Sequence, residues 1–129
     1  MNILKEICVC LFLRAQRSDV RKQVDLNGQR MFWGVDIKNG TVEYDDISFL
    51  PEQFKAKDYV DYLKEDLLQI RFPDGFLIDI GWRPSFSMKG KFYILAVENS
   101  NWESPAAQMA ARDVLGVKEA MRKMISDLI

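Results

Sequence analysis

Apolar segments and tight-turn dipeptides alternate in the first third of the chain. Asn27-Gly28 and Asn39-Gly40 favour tight turns, because asparagine and glycine tolerate positive φ. These two turns enclose residues 29–38, which contain Phe32, Trp33, Val35 and Ile37, and shorter segments at 24–26 and 41–44 flank the turns. The pattern predicts a meander of two or three antiparallel strands.

A helical period follows the meander. Apolar residues recur at steps of three and four from Val60 to Ile70, which places them on one face of a helix. Asp58 is a suitable N-cap for this helix, and Pro73-Asp74-Gly75 is expected to end it. The apolar stripe is Val60, Leu63, Leu67 and Ile70.

The second half of the chain predicts a hairpin and then a long helix. Phe76–Trp82 and Lys91–Val97 are apolar segments of strand length, separated by turn-forming residues. Ser104-Pro105 has the residues of a helix start, an N-cap serine with proline at the first helical position. The helix is expected to run from there to the C-terminus on the stripe Ala110, Val114, Val117, Met121, Met124 and Leu128.

The first segment, residues 3–16, fits either a helix or a strand. Seven residues, Ile3, Leu4, Ile7, Cys8, Leu11, Phe12 and Ala15, fit one helical face, whereas the unbroken apolar run 7–13 fits a buried strand. The run is too short to cross a bilayer, and neither its flanks nor its residues form a cleavage site. We therefore expect a cytoplasmic protein with no membrane association.

Together these segments predict the fold class. Strands, a helix, a hairpin and a terminal helix favour an α+β protein, in which an antiparallel sheet (meander plus hairpin) is covered by two to three helices. A chain of 129 residues with 48% hydrophobic and 29% charged residues has the size and composition of one globular domain. The prediction is a two-layer single domain over residues 1–129.

The amino-acid composition argues against several classes of function. The chain has no histidine, and its two cysteines, Cys8 and Cys10, lie together in an apolar run. Catalysis by a serine nucleophile therefore lacks its usual histidine base, and catalysis by a cysteine nucleophile lacks an accessible thiol. The net charge of −1 argues against general nucleic-acid binding, which needs a basic surface. We expect a protein that is not an enzyme, needs no cofactor or metal, and acts by contact.

Carboxylates are the remaining candidates for chemistry. Asp79 lies in one predicted strand and Glu98 closes the next, so the two could approach each other. A two-carboxylate nuclease would also need a lysine two residues after the glutamate, and Ser100 stands there. An outward-facing strand residue is the favoured interpretation of Asp79.

Three groups of residues are candidates for binding a partner. Tryptophan, tyrosine and carboxylates at turns are typical of interface anchors. For Trp102, packing under the start of the last helix is an equally good interpretation. The candidates are an acidic turn (Glu43, Tyr44, Asp45 and Asp46), the acids of the middle helix (Asp58, Asp61 and Glu65), and two loop tryptophans with an adjacent acid (Trp82, Trp102 and Glu103).

Two short motifs resemble a known family. The segment 77–84 has the pattern apolar-Asp-apolar-Gly-Trp-x-Pro, and Trp102-Glu103-Ser104-Pro105 follows the next strand. Residues 76–129 thereby resemble immunity proteins of bacterial polymorphic toxins, including those of contact-dependent growth inhibition. The resemblance implies a non-enzymatic cytoplasmic partner that covers the active site of a cognate toxin domain.

The leading hypothesis is therefore an immunity protein that neutralises a cognate toxin domain, such as a nuclease. An acidic patch on such a protein would complement the cationic cleft of a nuclease. A regulatory or scaffolding module, or a homodimer formed through a sheet edge or an aromatic patch, is the alternative. A small metal-dependent enzyme using Asp79 and Glu98 is the third.

Overall fold

The computed structural model describes residues 30–129, which form seven strands and two helices. A 3₁₀ turn over Val60–Tyr62 follows the first helix directly. In chain order the elements are β1 (Arg30–Phe32), β2 (Val35–Lys38), β3 (Thr41–Asp45), α1 (Ala56–Tyr59), β4 (Leu68–Arg71), β5 (Phe76–Arg83), β6 (Lys91–Glu98), β7 (Ala107–Ala111) and α2 (Val114–Leu128).

Five of the strands form one antiparallel sheet in the order β3-β4-β5-β6-β7. Each strand therefore pairs with its neighbour in sequence, and the longest pairing joins all eight residues of β5 to β6. Strands β1 and β2 form a separate two-stranded hairpin. The α+β class, with an antiparallel sheet and a packed helix as two layers, is confirmed.

The core lies between one face of the sheet, the inner face, and α2. Alternate residues of β5 and β6 point to this face and are fully buried, as period-two alternation requires. The helix contributes its apolar stripe at the predicted spacing. The central residues of this layer are Ile78, Ile80, Trp82, Phe92, Ile94, Val114, Val117 and Met121, all at most 1% exposed.

The last helix begins nine residues later than Ser104-Pro105 predicts. Asp113 is its N-cap, and its carboxylate accepts a hydrogen bond of 2.8 Å from the backbone N–H of Gly116. Residues Ala107–Ala111 instead form strand β7 beside β6. The predicted helix start is wrong because pairing with an open sheet edge outweighs the helix propensity of this alanine-rich segment.

The predicted middle helix is also wrong over most of its length. Only Ala56–Tyr59 is α-helical, and Leu68–Arg71 is strand β4, paired on one side with β3 and on the other with β5. Pro73-Asp74-Gly75 forms the tight connection between β4 and β5 rather than a helix end. Steps of three and four placed Leu63, Leu67 and Ile70 in a helix, whereas all three are buried here outside any helix.

The meander is present only in part. A turn at Trp33-Gly34, where φ is +55° and +79°, divides the predicted strand 29–38 into β1 and β2. The turn at Asn39-Gly40 is present, but β2 and β3 on its two sides belong to different sheets. The predicted strand 24–26, the Asn27-Gly28 turn and the segment 3–16 with both cysteines lie outside the described residues.

A bulge lies opposite Gly81 of β5, in the segment that leads into β4. The Leu67 N–H donates to the Ile80 carbonyl at 2.9 Å, and the Trp82 N–H donates to the Lys64 carbonyl at 2.8 Å. The segment between Lys64 and Leu67 therefore holds one residue more than the opposite strand, and its Glu65 carbonyl presses on Gly81. Any Cβ at position 81 would overlap that carbonyl oxygen, so the backbone requires glycine here.

Candidate interaction surface

A cluster of aromatic rings begins in the core, at the end of the β5–β6 hairpin where β5 ends. The rings of Trp82 and Phe92 meet edge to face at 4.8 Å between centroids. Phe54, from the loop after β3, packs at 5.4 Å from Phe92 and stacks at 5.9 Å on Tyr59 of α1. This cluster fixes α1 and the preceding loop on the sheet, since aromatic pairs of this kind stabilise beyond their buried area.

The cluster continues to the protein surface. Phe49 contacts the ring of Tyr59 at 6.1 Å and the ring of Tyr62 at 5.5 Å, both edge to face. Yet Phe49 is 54% exposed and Tyr62 is 58% exposed. Two large rings are thus held in fixed positions with more than half of each facing solvent.

The loop between β5 and β6 lies beside these rings. The Phe86 N–H donates a 2.7 Å hydrogen bond to the carbonyl of Leu63, the residue after Tyr62. Phe86 and Met88 in this loop are 57% and 62% exposed. The three exposed rings Phe49, Tyr62 and Phe86 are called the aromatic surface below.

The loop that carries Phe49 is tied to the rest of the fold by polar contacts. The indole Nε1 of Trp33 donates to the Leu50 carbonyl at 3.4 Å. Lys118 of α2 is 6% exposed, and its ammonium lies 2.9 Å from the Glu52 carboxylate and 5.0 Å from the centre of the Trp33 ring. These contacts pre-organise Phe49, which lowers the entropy cost of binding through it.

Acidic side chains flank the aromatic surface. Residues 58–66 contain four acids and one lysine, and Asp58, Asp61 and Glu65 are all exposed. That lysine, Lys64, is paired at 2.7 Å with Asp46. Within the part of the chain that the structure describes, no cation pairs with Asp58, Asp61 or Glu65, so their negative charge is available to a partner.

The predicted acidic turn, by contrast, lies mostly within β3, and its acids are paired within the fold. Glu43 forms a two-pronged ion pair with Arg71, at 2.9 and 3.1 Å. Asp45 accepts hydrogen bonds from the backbone N–H groups of Ile47 and Ser48, and Asp46 accepts one of 2.6 Å from the Tyr44 hydroxyl in addition to its ion pair with Lys64. These carboxylates hold the chain's own turn, which leaves less charge for a partner.

The two predicted loop tryptophans lie in different environments. Trp82 is only 1% exposed, so its expected place at an exposed loop is wrong: it is part of the core, and its Nε1 donates to the Ser87 carbonyl at 2.8 Å. Trp102 is 46% exposed in the turn between β6 and β7, away from the start of α2. Trp102 and Glu103 lie at the opposite end of the β5–β6 hairpin from Phe86, a strand length of about 23 Å.

The sheet does not bring Asp79 and Glu98 together. Asp79 pairs with Leu95, and Glu98 pairs with Phe76. Since Asp79 and Phe76 are three residues apart on one strand, Asp79 and Glu98 project from opposite faces. Across residues 30–129, no group of three or more aspartate, glutamate, cysteine or histidine side chains is arranged to hold a metal ion.

Asp79 lies on the face of the sheet opposite α2, and it is buried rather than exposed as predicted. It is 7% exposed, and its Oδ1 accepts a 3.0 Å hydrogen bond from Nε2 of Gln69 on β4. Burial raises the pKa of Asp79 above its ordinary value, and the negative charge of Asp66 adds to this effect. The hydrogen bond from Gln69 and the charge of Arg83 oppose the shift without cancelling it.

This raised pKa predicts a pH-dependent stability. The folded protein binds a proton at Asp79 more tightly than the unfolded chain does. The free energy of unfolding therefore falls as pH rises from the pKa of Asp79 in the unfolded chain to its higher pKa in the folded protein. We expect Asp79→Asn, which keeps an acceptor for Gln69, to be more stable than the wild type at pH 7. The gain should shrink toward zero as pH falls below the ordinary aspartate pKa.

Urea denaturation of both proteins between pH 3.5 and pH 7.5, at about 25 °C, measures the effect. Asp61→Asn is the matched control, because Asp61 is exposed and has no described partner. A constant difference between wild type and Asp79→Asn across this range would contradict the assignment.

Sequence reasoning missed the aromatic surface. Only Tyr62 lies off the stripe that starts at Val60, because Tyr59 and Leu63 are four residues apart and share a helical face. The position of Tyr62 was the available signal for an exposed ring. For Phe49 and Phe86 the sequence holds no such signal, because a single aromatic residue in a loop is equally compatible with a core position.

Comparisons of the chain with protein-family models, curated proteins and solved structures find no match. Within the described residues, no helix has both the length and the apolar character needed to cross a bilayer. The class defined by fold and surface is thus an α+β domain with a rigid, exposed aromatic surface flanked by acids.

Proposed function

We propose that the chain is a cytoplasmic immunity protein, which binds a cognate bacterial toxin domain and covers its active site without catalysis or cofactor. The observation that carries this proposal is the exposed pair Phe49 and Tyr62, held by ring contacts beside uncompensated carboxylates. Large rigid rings surrounded by polar groups are typical of the residues that dominate binding energy in protein interfaces. The resemblance of residues 76–129 to immunity proteins supports the class of function but assigns no role to Phe49 or Tyr62.

The charges favour a basic partner. Asp58, Asp61 and Glu65 would meet lysine and arginine side chains of the kind that line the substrate cleft of a nuclease. Phe49 and Tyr62 would pack on apolar surface next to that cleft, and the stems of long basic side chains supply such surface. A nuclease toxin domain is therefore the partner that these groups fit best.

The motifs behind the resemblance have a different role in this proposal. Gly81 admits the Glu65 bulge, and Trp82 fills the core under Phe54. Both residues thereby position the segment 58–66, which carries the proposed binding acids. In this proposal Gly81 and Trp82 therefore hold the binding segment in position and do not themselves contact the toxin.

Identification of the partner is the first test. The tagged chain is used to capture proteins from its native strain at physiological salt, and the retained protein is identified by mass spectrometry. The expected result is a toxin domain, encoded next to the gene for this chain, whose activity falls to background at equimolar inhibitor. Capture of no such domain, or capture without inhibition, would reject the proposal.

The second test reverses the charge of the acids with the purified toxin domain as partner. We expect the triple variant Asp58→Lys, Asp61→Lys and Glu65→Lys to lower the association rate constant by about tenfold to a hundredfold at low salt. The measurement is stopped-flow binding at several salt concentrations. The difference should decrease at high salt, since exposed charges are screened.

A matched triple variant controls for net charge. Asp74→Lys, Glu98→Lys and Glu103→Lys change the net charge by the same amount at the opposite end of the β5–β6 hairpin, where all three acids are exposed. It should alter the association rate much less than the first variant. Equal effects from both triples would show that only overall charge matters and would remove the assigned surface.

A further inference from the structure

The two edges of the five-stranded sheet differ in how they are protected. At one edge, β3 carries exposed Glu43 and half-buried Asp45, and a bulge lies between Val42 and Tyr44. Charges and bulges of this kind prevent an edge strand from pairing with another chain. At the other edge, β7 has neither.

Strand β7 carries none of the features that protect an edge strand from pairing. Its sequence is Ala-Gln-Met-Ala-Ala, without charge or proline. All five residues pair with β6, and the register is regular throughout. Within residues 30–129, no strand covers its outer edge. Within the described residues, the backbone donors and acceptors on this edge of β7 therefore have no strand partner.

We propose that β7 pairs antiparallel with β7 of a second copy, which joins two five-stranded sheets into one ten-stranded sheet. With the twofold axis at Met109, Gln108 lies opposite Ala110 of the second copy, and Ala107 lies opposite its Ala111. These side chains are small or uncharged, so the two strands approach without a clash or a buried charge. Centring on Met109 uses all five residues of the strand.

The charges beside β7 favour antiparallel pairing with β7 of a second copy. Exposed Glu103 precedes the strand and exposed Arg112 follows it. With the axis at Met109, Arg112 lies opposite Ala106 of the second copy and Glu103 lies opposite its Leu115, so the opposite charges lie at the same end of the paired strands, three residues apart along them. The neighbouring acid Asp113 is turned toward its own helix, where it caps Gly116.

This dimer is independent of the proposed toxin-binding function. The aromatic surface lies beside β4 and the β5–β6 loop, so dimerisation through β7 leaves it open on both copies. Failure of the dimer would leave the proposed function untouched, and the reverse also holds.

Sedimentation equilibrium of the full chain from 1 to 200 μM tests the proposal with two charge variants. The variant Gln108→Lys with Ala110→Lys places like charges opposite each other across the twofold axis. The variant Gln108→Glu with Ala110→Lys places opposite charges there. We expect the wild type to dimerise, the first variant to have a dissociation constant about tenfold or more higher, and the second to dimerise at least as well as the wild type.

Thr41→Lys, at the exposed start of the protected edge β3, is the matched control and should not change the dissociation constant. Thermal unfolding of each variant checks that the fold is retained. A wild type that stays monomeric to 200 μM would overturn the proposal. A dimer that responds equally to Thr41→Lys, or that is insensitive to both β7 variants, would overturn it as well.

Discussion

Replacing Phe49 and Tyr62 together with serine is expected to weaken binding of the cognate toxin domain by about a hundredfold, or about 3 kcal/mol. Each ring presents more than half of its surface to solvent, so a partner that covers them buries rigid apolar area at little entropy cost. The free energy of unfolding should fall by only about 1–2 kcal/mol, because each ring is about half buried and the two pack edge to face. Isothermal titration and urea denaturation measure the two quantities.

Trp102→Ser is the matched control for this double variant. Trp102 is 46% exposed, close to the exposure of Phe49, and lies at the far end of the β5–β6 hairpin. Its loss should leave the affinity for the toxin domain nearly unchanged. A large loss from Trp102→Ser together with a small loss from the double variant would move the binding site to that end of the sheet.

Gly81→Ala is expected to destabilise the fold by about 3 kcal/mol or more, although it adds a single methyl group. The added Cβ would overlap the Glu65 carbonyl oxygen, which is backbone and cannot rotate away. Relief would require the bulge to move, which would break the Trp82 N–H hydrogen bond to Lys64. Chemical denaturation measures the loss, and inhibition of the toxin should fall with it because the bulge carries Glu65.

Gly34→Ala is the control that distinguishes the steric overlap at Gly81 from the general effect of replacing a glycine by alanine on the free energy of unfolding. Gly34 has a φ of +79°, but a Cβ there would meet only the Lys118 ammonium, at 3.8 Å. Its cost should be about 1 kcal/mol, from backbone conformation alone. If Gly34→Ala proved as destabilising as Gly81→Ala, steric overlap with Glu65 would not be the cause of the loss.

The acids and the rings of the proposed interface differ in how far sequence could locate them. Asp58, Asp61 and Glu65 were candidates from sequence, and the fold leaves all three exposed. The alternative acids of residues 43–46 were equal candidates, and only the tertiary contacts with Arg71, Lys64 and local backbone distinguish the two groups. Trp82 was assigned to the surface on the basis of its turn-forming neighbours, yet Phe54 and Phe92 pack against its ring in the core.

Local chemistry by itself determined β5, β6 and most of α2. The two strands are apolar segments of strand length bounded by glycine and proline, and the helix keeps an apolar period of three and four residues. The segments 58–72 and 105–111 were decided by tertiary structure. The first has apolar spacing compatible with helix or strand, and pairing with both β3 and β5 selects the strand. The second favours a helix by composition, and the open edge of β6 makes it a strand. Exposure of Phe49 and Tyr62 also followed only from packing, since burial depends on neighbours distant in sequence.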